Sequence, residues 1–213
     1  PWTLVSVGTD YLSGDIPERT ARIFPPLVDR SDVVWLVLWK AALGSGTAQV
    51  GDWLSRHEFP VVPVSTSDSE IDPYLTTAGA SVHSEPVDAA FDAGVRLAVA
   101  HWPTTIQAGD RLPLELDWLA ADPLDRNYTV FVHLVDATGK TWAQRDGWPV
   151  NGRAPTSTWP TGQVVEDRHV LALPSSLPGG QFWLEVGLYD DHGRLALRSG
   201  GNVVRLGPIV GST

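Results

Sequence analysis

Three tryptophans lie among prolines, glycines and polar residues between Thr141 and Gln163, and this stretch is the strongest candidate for chemistry. An indole ring exposed on a loop costs hydrophobic free energy, so its presence there calls for an explanation in binding or in packing. A flat ring beside charged and amide groups is suited to stack on a sugar ring, while the polar groups bond the sugar hydroxyls. The candidate glycan-binding residues are Trp142, Arg145, Asp146, Trp148, Asn151, Arg153 and Trp159.

The same residues have a second explanation that needs no ligand. Large aromatic side chains are usually substantially buried, so the three rings would then cover the open end of a hydrophobic core. Arg145 and Asp146 would form an ion pair that holds the long loop. The two interpretations differ in whether Trp148 or Trp159 is exposed in a groove, and the sequence leaves both open.

Catalytic chemistry has weaker support. The absence of cysteine excludes thiol catalysis and thiolate metal sites. Glycoside hydrolysis needs two acids across a cleft, and the adjacent candidates are Glu115 with Asp117 and Glu166 with Asp167. Strand alternation places the first pair on a charged outer face, which we expect to be solvated. We therefore expect no catalytic residue in this chain.

Metal-ligand patterns are also sparse. The six histidines are scattered without the spacing of a catalytic zinc site, and no cofactor is expected. His133 and His169 fall in predicted strands, where we expect them to be packed or hydrogen-bonded. Asp190 and Asp191 offer hard oxygen ligands and are weak candidates for a structural Ca²⁺.

The overall charge limits the partners. The 213 residues carry a net charge of −10, and no basic run relieves it, so we expect no nucleic acid to bind. A hydrophobic content of 43% is enough for a sizeable core. The longest apolar run, Val33–Trp39, is too short to span a bilayer. Because the chain starts at Pro1 without a signal peptide pattern, we expect a piece of a longer protein.

Residues 1–88 predict a small α/β segment with a linker. Short apolar runs alternate with helical patterns, which favours parallel strands. The predicted elements are strands at Thr3–Val7, Val33–Trp39 and Phe59–Val64, a helix beginning at Asp15, and a helix with Val50, Trp53, Leu54 and His57 on one face. Residues 65–92 are rich in Ser, Thr, Asp and Gly and predict a loop or linker.

Residues 89–213 predict a β-sandwich domain. Apolar and polar residues alternate strictly along Arg111–Trp118, with Leu112, Leu114, Leu116 and Trp118 on one face. The predicted strands are Val95–Trp102, Arg111–Trp118, Tyr128–Asp136, Lys140–Arg145, Val164–Leu173, Gln181–Tyr189, Arg194–Arg198 and Asn202–Leu206. About eight short strands separated by turns are typical of an antiparallel sandwich of the jelly-roll or immunoglobulin-like kind, so the fold class is mainly β.

Several segments of the chain resemble a known module. They are Tyr128–Asp136, Ala143–Asp146, Pro155–Trp159, Leu177–Gly180 and Val186–Asp190. Together they resemble the C-terminal soluble β-sandwich of bacterial multi-spanning membrane glycosyltransferases of the dolichyl-phosphate-mannose-protein mannosyltransferase type. Val34–Trp39 and Asp52–Leu54 are similar to the α/β segment between the last membrane span and that sandwich.

The resemblance implies an accessory role. In that family the chemistry belongs to acidic residues in loops between membrane spans, so no catalytic residue carries over to this chain. The resemblance implies an extracytoplasmic, non-catalytic domain attached to a membrane-spanning region of the same polypeptide, with a glycan or glycosylation acceptor as its possible partner. The alternatives are a structural or protein-interaction sandwich without a ligand and, third, a glycoside hydrolase-like enzyme.

Overall fold

The computed structural model describes residues 33–39, 45–61, 64–76 and 82–212, together with Arg22 and Pro25. It divides into two compact units, Pro1–Ala78 and Gly79–Thr213. The strand predicted at Thr3–Val7 and the helix predicted from Asp15 lie outside the described residues. Within the described part, no helix combines the length and the apolar character that crossing a membrane requires.

The first unit is a small antiparallel sheet with one helix. Its elements are β1 Val33–Trp39, α1 Ser45–His57, β2 Phe59–Pro60, β3 Val64–Ser65 and β4 Ser69–Leu75. Strand β4 lies in the centre, with β1 on one side and β2 and β3 on the other. Leu36, Val50, Leu54 and Tyr74 form its core. Of the predicted helix face, Val50 and Leu54 are buried, Trp53 is partly buried and His57 is exposed.

The expectation of parallel strands in this unit is wrong. Strands β1 and β2 do run in the same direction, because each pairs with β4 in antiparallel register. The chain turns back after β3, where Thr66 Oγ1 accepts hydrogen bonds from the backbone N–H groups of Asp68 and Ser69. Such a turn brings β4 between the two strands that would otherwise be neighbours.

The second unit is a sandwich of two sheets, as the sequence predicts. Its strands are β5 Val82–Ala90, β6 Val95–Pro103, β7 Thr105–Gln107, β8 Arg111–Ala120, β9 Thr129–Asp136, β10 Thr141–Gly147, β11 Val164–Ala172, β12 Gly180–Asp190, β13 Gly193–Arg194 and β14 Val204–Ser212. One sheet has the order β11-β8-β6-β5, and the other has β10-β9-β12-β14-β7 with β13 beside β12. All pairs are antiparallel except β14 with β7.

The core lies between the two sheets. The predicted inward residues of β8 are fully buried, and so are those of β12; they are Leu112, Leu114, Leu116, Trp118, Phe182, Leu184, Val186 and Leu188. The alternation of apolar and polar residues predicts which side chains are buried, because each strand packs one face against the opposite sheet. The strand predicted at Arg194–Arg198 is shorter in the structure and covers only Gly193–Arg194.

The linker predicted at residues 65–92 is wrong in two places. It contains β4 and β5, and β5 pairs with β6 at the edge of the four-stranded sheet. Strand β5 shows no alternation of apolar and polar residues, because most of its side chains are exposed and a bulge between Pro86 and Ala89 shifts its register. Proline, charge and bulges are common devices on edge strands.

The packing of β12 against β9 leaves no room for a side chain at Gly187. A Cβ there would lie 2.5 Å from Cζ of Phe131 and 2.8 Å from the backbone oxygen of Asn202. We expect Gly187→Ala to lower the free energy of unfolding by about 1–3 kcal/mol, measured by urea denaturation. Gly147→Ala in β10 is the control, because a Cβ there meets nothing within 4 Å. Equal effects of the two substitutions would contradict this packing.

Candidate functional site

A cleft of about 240 Å³ lies at one edge of the sandwich, where β10 and β11 are the end strands of the two sheets. The two sheets are not joined by backbone pairing at this edge, so side chains and a loop close the gap. The principal lining residues are Arg145, Asp146, Trp148 and Asn151 from β10 and the loop after it, and Arg168 and His169 from β11. The structure therefore brings together four of the seven candidate residues predicted from the sequence.

Trp148 is the exposed aromatic ring of this cleft. Its side chain is 49% exposed, whereas most large aromatic side chains of the sandwich are buried. Trp148 follows the last residue of β10, so the strand end and the loop after it determine its position. Trp148 is thus both exposed and part of the cleft lining, as the binding hypothesis requires.

Trp159 is part of the core and does not line the cleft. It is 5% exposed, its ring centroid lies 6.4 Å from that of Trp118, and its indole N–H donates to the backbone oxygen of Ala154 at 2.9 Å. The prediction of Trp159 as a ligand-binding residue is therefore not supported by its placement. For this ring, the alternative of covering the core is correct.

Trp142 also lies away from the cleft. It is partly buried against the core, and its indole N–H donates to Asp136 Oδ2 at 2.8 Å. Lys140 Nζ lies 3.5 Å from the centroid of the ring. Hydrogen bonds from Thr138 and Trp142 hold the pKa of Asp136 well below its usual range. Trp142 thus stabilises the turn between β9 and β10 and does not contact the candidate site.

Arg145 and Asp146 do not form the predicted ion pair. Adjacent residues of a strand point to opposite faces, and the two side chains have different partners. Arg145 Nη2 donates to Asn151 Oδ1 at 3.2 Å, while Asp146 Oδ2 accepts from the Tyr189 hydroxyl at 3.3 Å. His133 Nε2 lies 3.6 Å from Asp146 Oδ1. Arg145 therefore holds the loop through an amide and not through a carboxylate.

The seventh candidate, Arg153, is exposed on the loop and does not line the cleft. It follows Gly152, at which the loop turns in the left-handed region with φ of +82°. The chain then leaves the cleft through Ala154, whose N–H donates to the backbone oxygen of Pro149 at 3.2 Å.

A buried Asp–His pair lies beneath the loop. Asp167 is fully buried; its Oδ2 lies 2.7 Å from His169 Nε2, and its Oδ1 accepts the Val150 N–H at 2.8 Å. Burial alone would raise the pKa of Asp167, but the neighbouring His169 imidazole and the hydrogen bonds from His169 and Val150 bring it below the usual value. One carboxylate therefore fixes both a loop amide and the histidine that lines the cleft.

The loop itself has a strained backbone. Val150 and Asn151 both have φ of +53°, a region that a β-branched residue rarely enters. Strain of this kind persists only where surrounding contacts impose it, and here the bond from Val150 to Asp167 does so. The result is a fixed loop that presents Trp148 and Asn151 on the same cleft.

The buried pair of Asp167 and His169 is not among the site residues predicted from the sequence. Glu166 and Asp167, adjacent in sequence, point to opposite faces of β11, and Asp167 lies on the inner face. His169 is hydrogen-bonded within its strand, as predicted. The available signal was that both residues share the inward face with Val165 and Leu171, where charged side chains are rare unless paired.

Glu115 and Asp117 lie on the charged outer face of their sheet, as predicted, but they are less solvated than expected. Their side chains are only 19% and 18% exposed, since Arg168 Nε lies 2.6 Å from Glu115 Oε2 and His101 Nε2 lies 3.5 Å from Asp117 Oδ2. Burial, which outweighs the nearby Arg168, raises the pKa of Glu115. The pair therefore belongs to a charged network on the outer face of the four-stranded sheet and not to a hydrolytic cleft.

The weak calcium candidates are engaged by protein groups. Asp190 Oδ1 accepts the backbone N–H of His192 at 2.8 Å, and its Oδ2 accepts from Arg126 at 3.1 Å. These two interactions lower the pKa of Asp190. Asp191 is exposed and lies 2.7 Å from His192 Nδ1. The cation nearest to Asp190 is thus a guanidinium of the chain itself.

Comparison with known proteins gives only distant similarities. No family model and no curated protein match the chain. The C-terminal domain of wzt is similar over 62% of this chain and 79% of its own, at 11% identity and a TM-score of 0.43. A β-glucuronidase from glycoside hydrolase family 2 covers 66% of this chain and 13% of its own, at 9% identity and a TM-score of 0.35.

A third similar structure is an endonuclease/exonuclease/phosphatase from Beutenbergia cavernae DSM 12333, which covers 90% of this chain and 60% of its own. Its identity is 12% and its TM-score is 0.32. Similarities at this level do not assign a ligand or an activity, so the site has to be interpreted from its own geometry.

Proposed function

We propose that this chain is a non-catalytic, extracytoplasmic accessory domain of a membrane glycosyltransferase, and that its sandwich binds the glycan or acceptor in the β10–β11 cleft. The binding proposal rests on one observation: Trp148 is half exposed at a cleft that also presents a guanidinium and an amide. The assignment of the chain to a membrane glycosyltransferase, and with it the extracytoplasmic location, is based on the resemblance of the sequence segments described above.

The chemistry of the cleft suits a sugar. The apolar face of a pyranose ring would stack on the indole of Trp148, and side chains that donate and accept would bond the hydroxyl groups. The donors and acceptors within the cleft include Arg145 and Asn151, which are already bonded to each other at 3.2 Å. A volume of about 240 Å³ is below the range of about 300–1,000 Å³ that encloses drug-sized ligands. We therefore expect the cleft to hold a single sugar unit of a longer glycan.

The loop is also preorganised for binding. The Val150 N–H is fixed by Asp167, and the Gly152 N–H donates to the backbone oxygen of Trp148 at 3.0 Å. A loop that is ordered before the ligand arrives loses less conformational entropy on binding. This order supports a binding role for the loop.

We expect Trp148→Ala to weaken glycan binding at least tenfold, which corresponds to about 1.4 kcal/mol, because it removes the stacking surface. The measurement is isothermal titration calorimetry of the 213-residue chain with a panel of bacterial oligosaccharides and simple methyl glycosides. Trp35→Ala is the matched control, since Trp35 is 52% exposed on β1 in the other unit.

Two results would contradict the proposal. If no sugar of the panel releases heat on binding, the cleft has no glycan ligand among the classes tested, and a structural or protein-interaction role becomes the better account. If Trp35→Ala weakens binding as much as Trp148→Ala does, the sugar contacts a surface other than the cleft.

A further inference from the structure

Arg145 has more hydrogen-bonding capacity than its surroundings use. The side chain is part-buried and lines the cleft, and its hydrogen bond is the one to Asn151 Oδ1. A guanidinium has five N–H donors, and in the described part of the chain no carboxylate oxygen lies within 4.0 Å of the Arg145 nitrogens. Burial lowers the pKa of Arg145, and the charge of Asp167 offsets only part of that effect.

His169, which lines the same cleft, has a buried ring nitrogen without a partner among the described residues. It is 3% exposed, and its Nδ1 has no hydrogen-bond partner among the described residues. Its Nε2 lies 2.7 Å from Asp167, and a carboxylate can only accept, so Nε2 carries the proton of that bond. In the neutral ring Nδ1 is then an acceptor that suits a sugar hydroxyl.

Unsatisfied polar groups in a folded interior are uncommon, because each costs about 1–3 kcal/mol. His169 Nδ1 is such a group, and Arg145 on the facing strand has spare donors at the same cleft, so together they point to a ligand that bonds both. A guanidinium prefers the planar, bidentate geometry of a carboxylate or phosphate. The unprotonated imidazole nitrogen is an acceptor, and a sugar hydroxyl is one donor that can bond to it.

The remaining charged residues of the cleft already have partners. Arg168 bonds Glu115 and Glu166 on the outer face of the sheet, at 2.6 Å and 2.9 Å. Asp146 accepts from Tyr189 and lies close to His133. The group left for an incoming anion is therefore the Arg145 guanidinium.

We propose that the cleft selects an acidic sugar: a ring that carries a carboxylate or phosphate, bound by Arg145, with a hydroxyl donating to His169 Nδ1 and the ring stacked on Trp148. This inference rests on the proposed function and narrows its ligand to sugars with an anionic substituent. The overall charge of −10 would repel an anion at most other places on the surface, which makes a guanidinium in the cleft the determinant of selectivity.

The test compares sugars that differ only in the acidic group. Methyl glucuronide and methyl glucoside have the same ring and differ at C6, which is a carboxylate in the first and a hydroxymethyl group in the second. Glucose 1-phosphate separates phosphate from carboxylate, and inorganic phosphate separates a sugar site from a simple anion site. Calorimetric titration should show at least one acidic sugar binding at least tenfold tighter than methyl glucoside.

The variants assign the selectivity to a residue. Arg145→Gln should remove the preference for the acidic sugar, and Arg145→Lys should keep part of it because the charge remains without the bidentate geometry. Arg205→Gln is the control, because Arg205 on β14 lies over the Trp183 ring on β12 of the same sheet and does not line the cleft. The ratio in the unaltered protein tests the proposal even if a variant fails to fold.

Each outcome has a separate meaning. Equal affinity for methyl glucuronide, glucose 1-phosphate and methyl glucoside, with dependence on Trp148, would overturn the acidic-sugar inference and leave glycan binding intact. A preference that survives Arg145→Gln would overturn the role of Arg145. Inorganic phosphate binding as tightly as the acidic sugars would show an anion site without sugar recognition. Binding of none of these probes would overturn both the inference and the proposed function.

Discussion

Replacing Asp167 with alanine should lower the free energy of unfolding by about 2–6 kcal/mol, because two buried donors lose their acceptor and each unsatisfied group costs about 1–3 kcal/mol. The substitution deletes the acceptor of the Val150 N–H and the partner of His169 Nε2, and both groups are then left buried without a bond. The strained left-handed conformation at Val150 also loses the contact that imposes it. Urea denaturation at neutral pH measures the effect.

The control for this experiment is Asp191→Ala. Asp191 is exposed and, among the described residues, pairs with the exposed His192, so its removal should change the free energy of unfolding by less than about 0.5 kcal/mol. Similar effects of the two substitutions would mean that Asp167 does not hold the loop, and the preorganised cleft would lose its main support.

The same carboxylate predicts a pH dependence. The pKa of Asp167 is lower in the folded protein than its ordinary value, so the contribution of the carboxylate to stability is present above the unfolded pKa of about 3.9. It is lost as the pH falls below 4 and passes through the folded pKa. The difference in unfolding free energy between the unaltered protein and Asp167→Asn should therefore be constant near neutrality and shrink in acid.

Trp159→Ala should lower the free energy of unfolding by about 3–5 kcal/mol, because it leaves a large cavity beside Trp118 and removes the bond to Ala154. Trp148→Ala should cost less than about 1 kcal/mol, since its ring is half exposed. Thermal and urea unfolding of the two variants give the comparison directly.

The two tryptophan substitutions should also differ in their effect on glycan affinity. Trp148→Ala removes the proposed stacking surface, so it should lose glycan affinity while it keeps its stability. If Trp159→Ala proves neutral for folding and abolishes binding, the core assignment of Trp159 is wrong and its sequence-based assignment to the ligand site is right.

The sandwich could be predicted from the sequence because its central strands bury one face each. Along β8 every second residue is apolar and fully buried, so the pattern of side chains is the pattern of burial. Strand β5 carries no such pattern, since it is an exposed edge with a proline and a bulge. Which strands lie next to each other in a sheet depends on contacts between distant parts of the chain. The position of β4 between β1 and β2 therefore could not be predicted from local sequence patterns.

The candidate site was predictable only in part, for related reasons. A tryptophan in a loop rich in glycine and proline marks an unusual surface, and Trp148 is such a residue. The burial of Trp159 depends on contacts across the sandwich, to Trp118, which spacing does not reveal. Asp167 and His169 sit in the run Glu166-Asp-Arg-His169, whose four consecutive polar residues conceal that every second one points inward.

The most direct test of glycan binding at this cleft follows the indole N–H signals in ¹H–¹⁵N spectra while methyl glucuronide and methyl glucoside are titrated into the protein. The signals of Trp148, Trp159 and Trp35 are assigned by their loss in single-substitution variants. Glycan binding in the cleft predicts a saturable shift of the Trp148 signal with at least one of the two sugars, while the signals of Trp159 and Trp35 do not move. An unmoved Trp148 signal at millimolar concentrations of both sugars would contradict it.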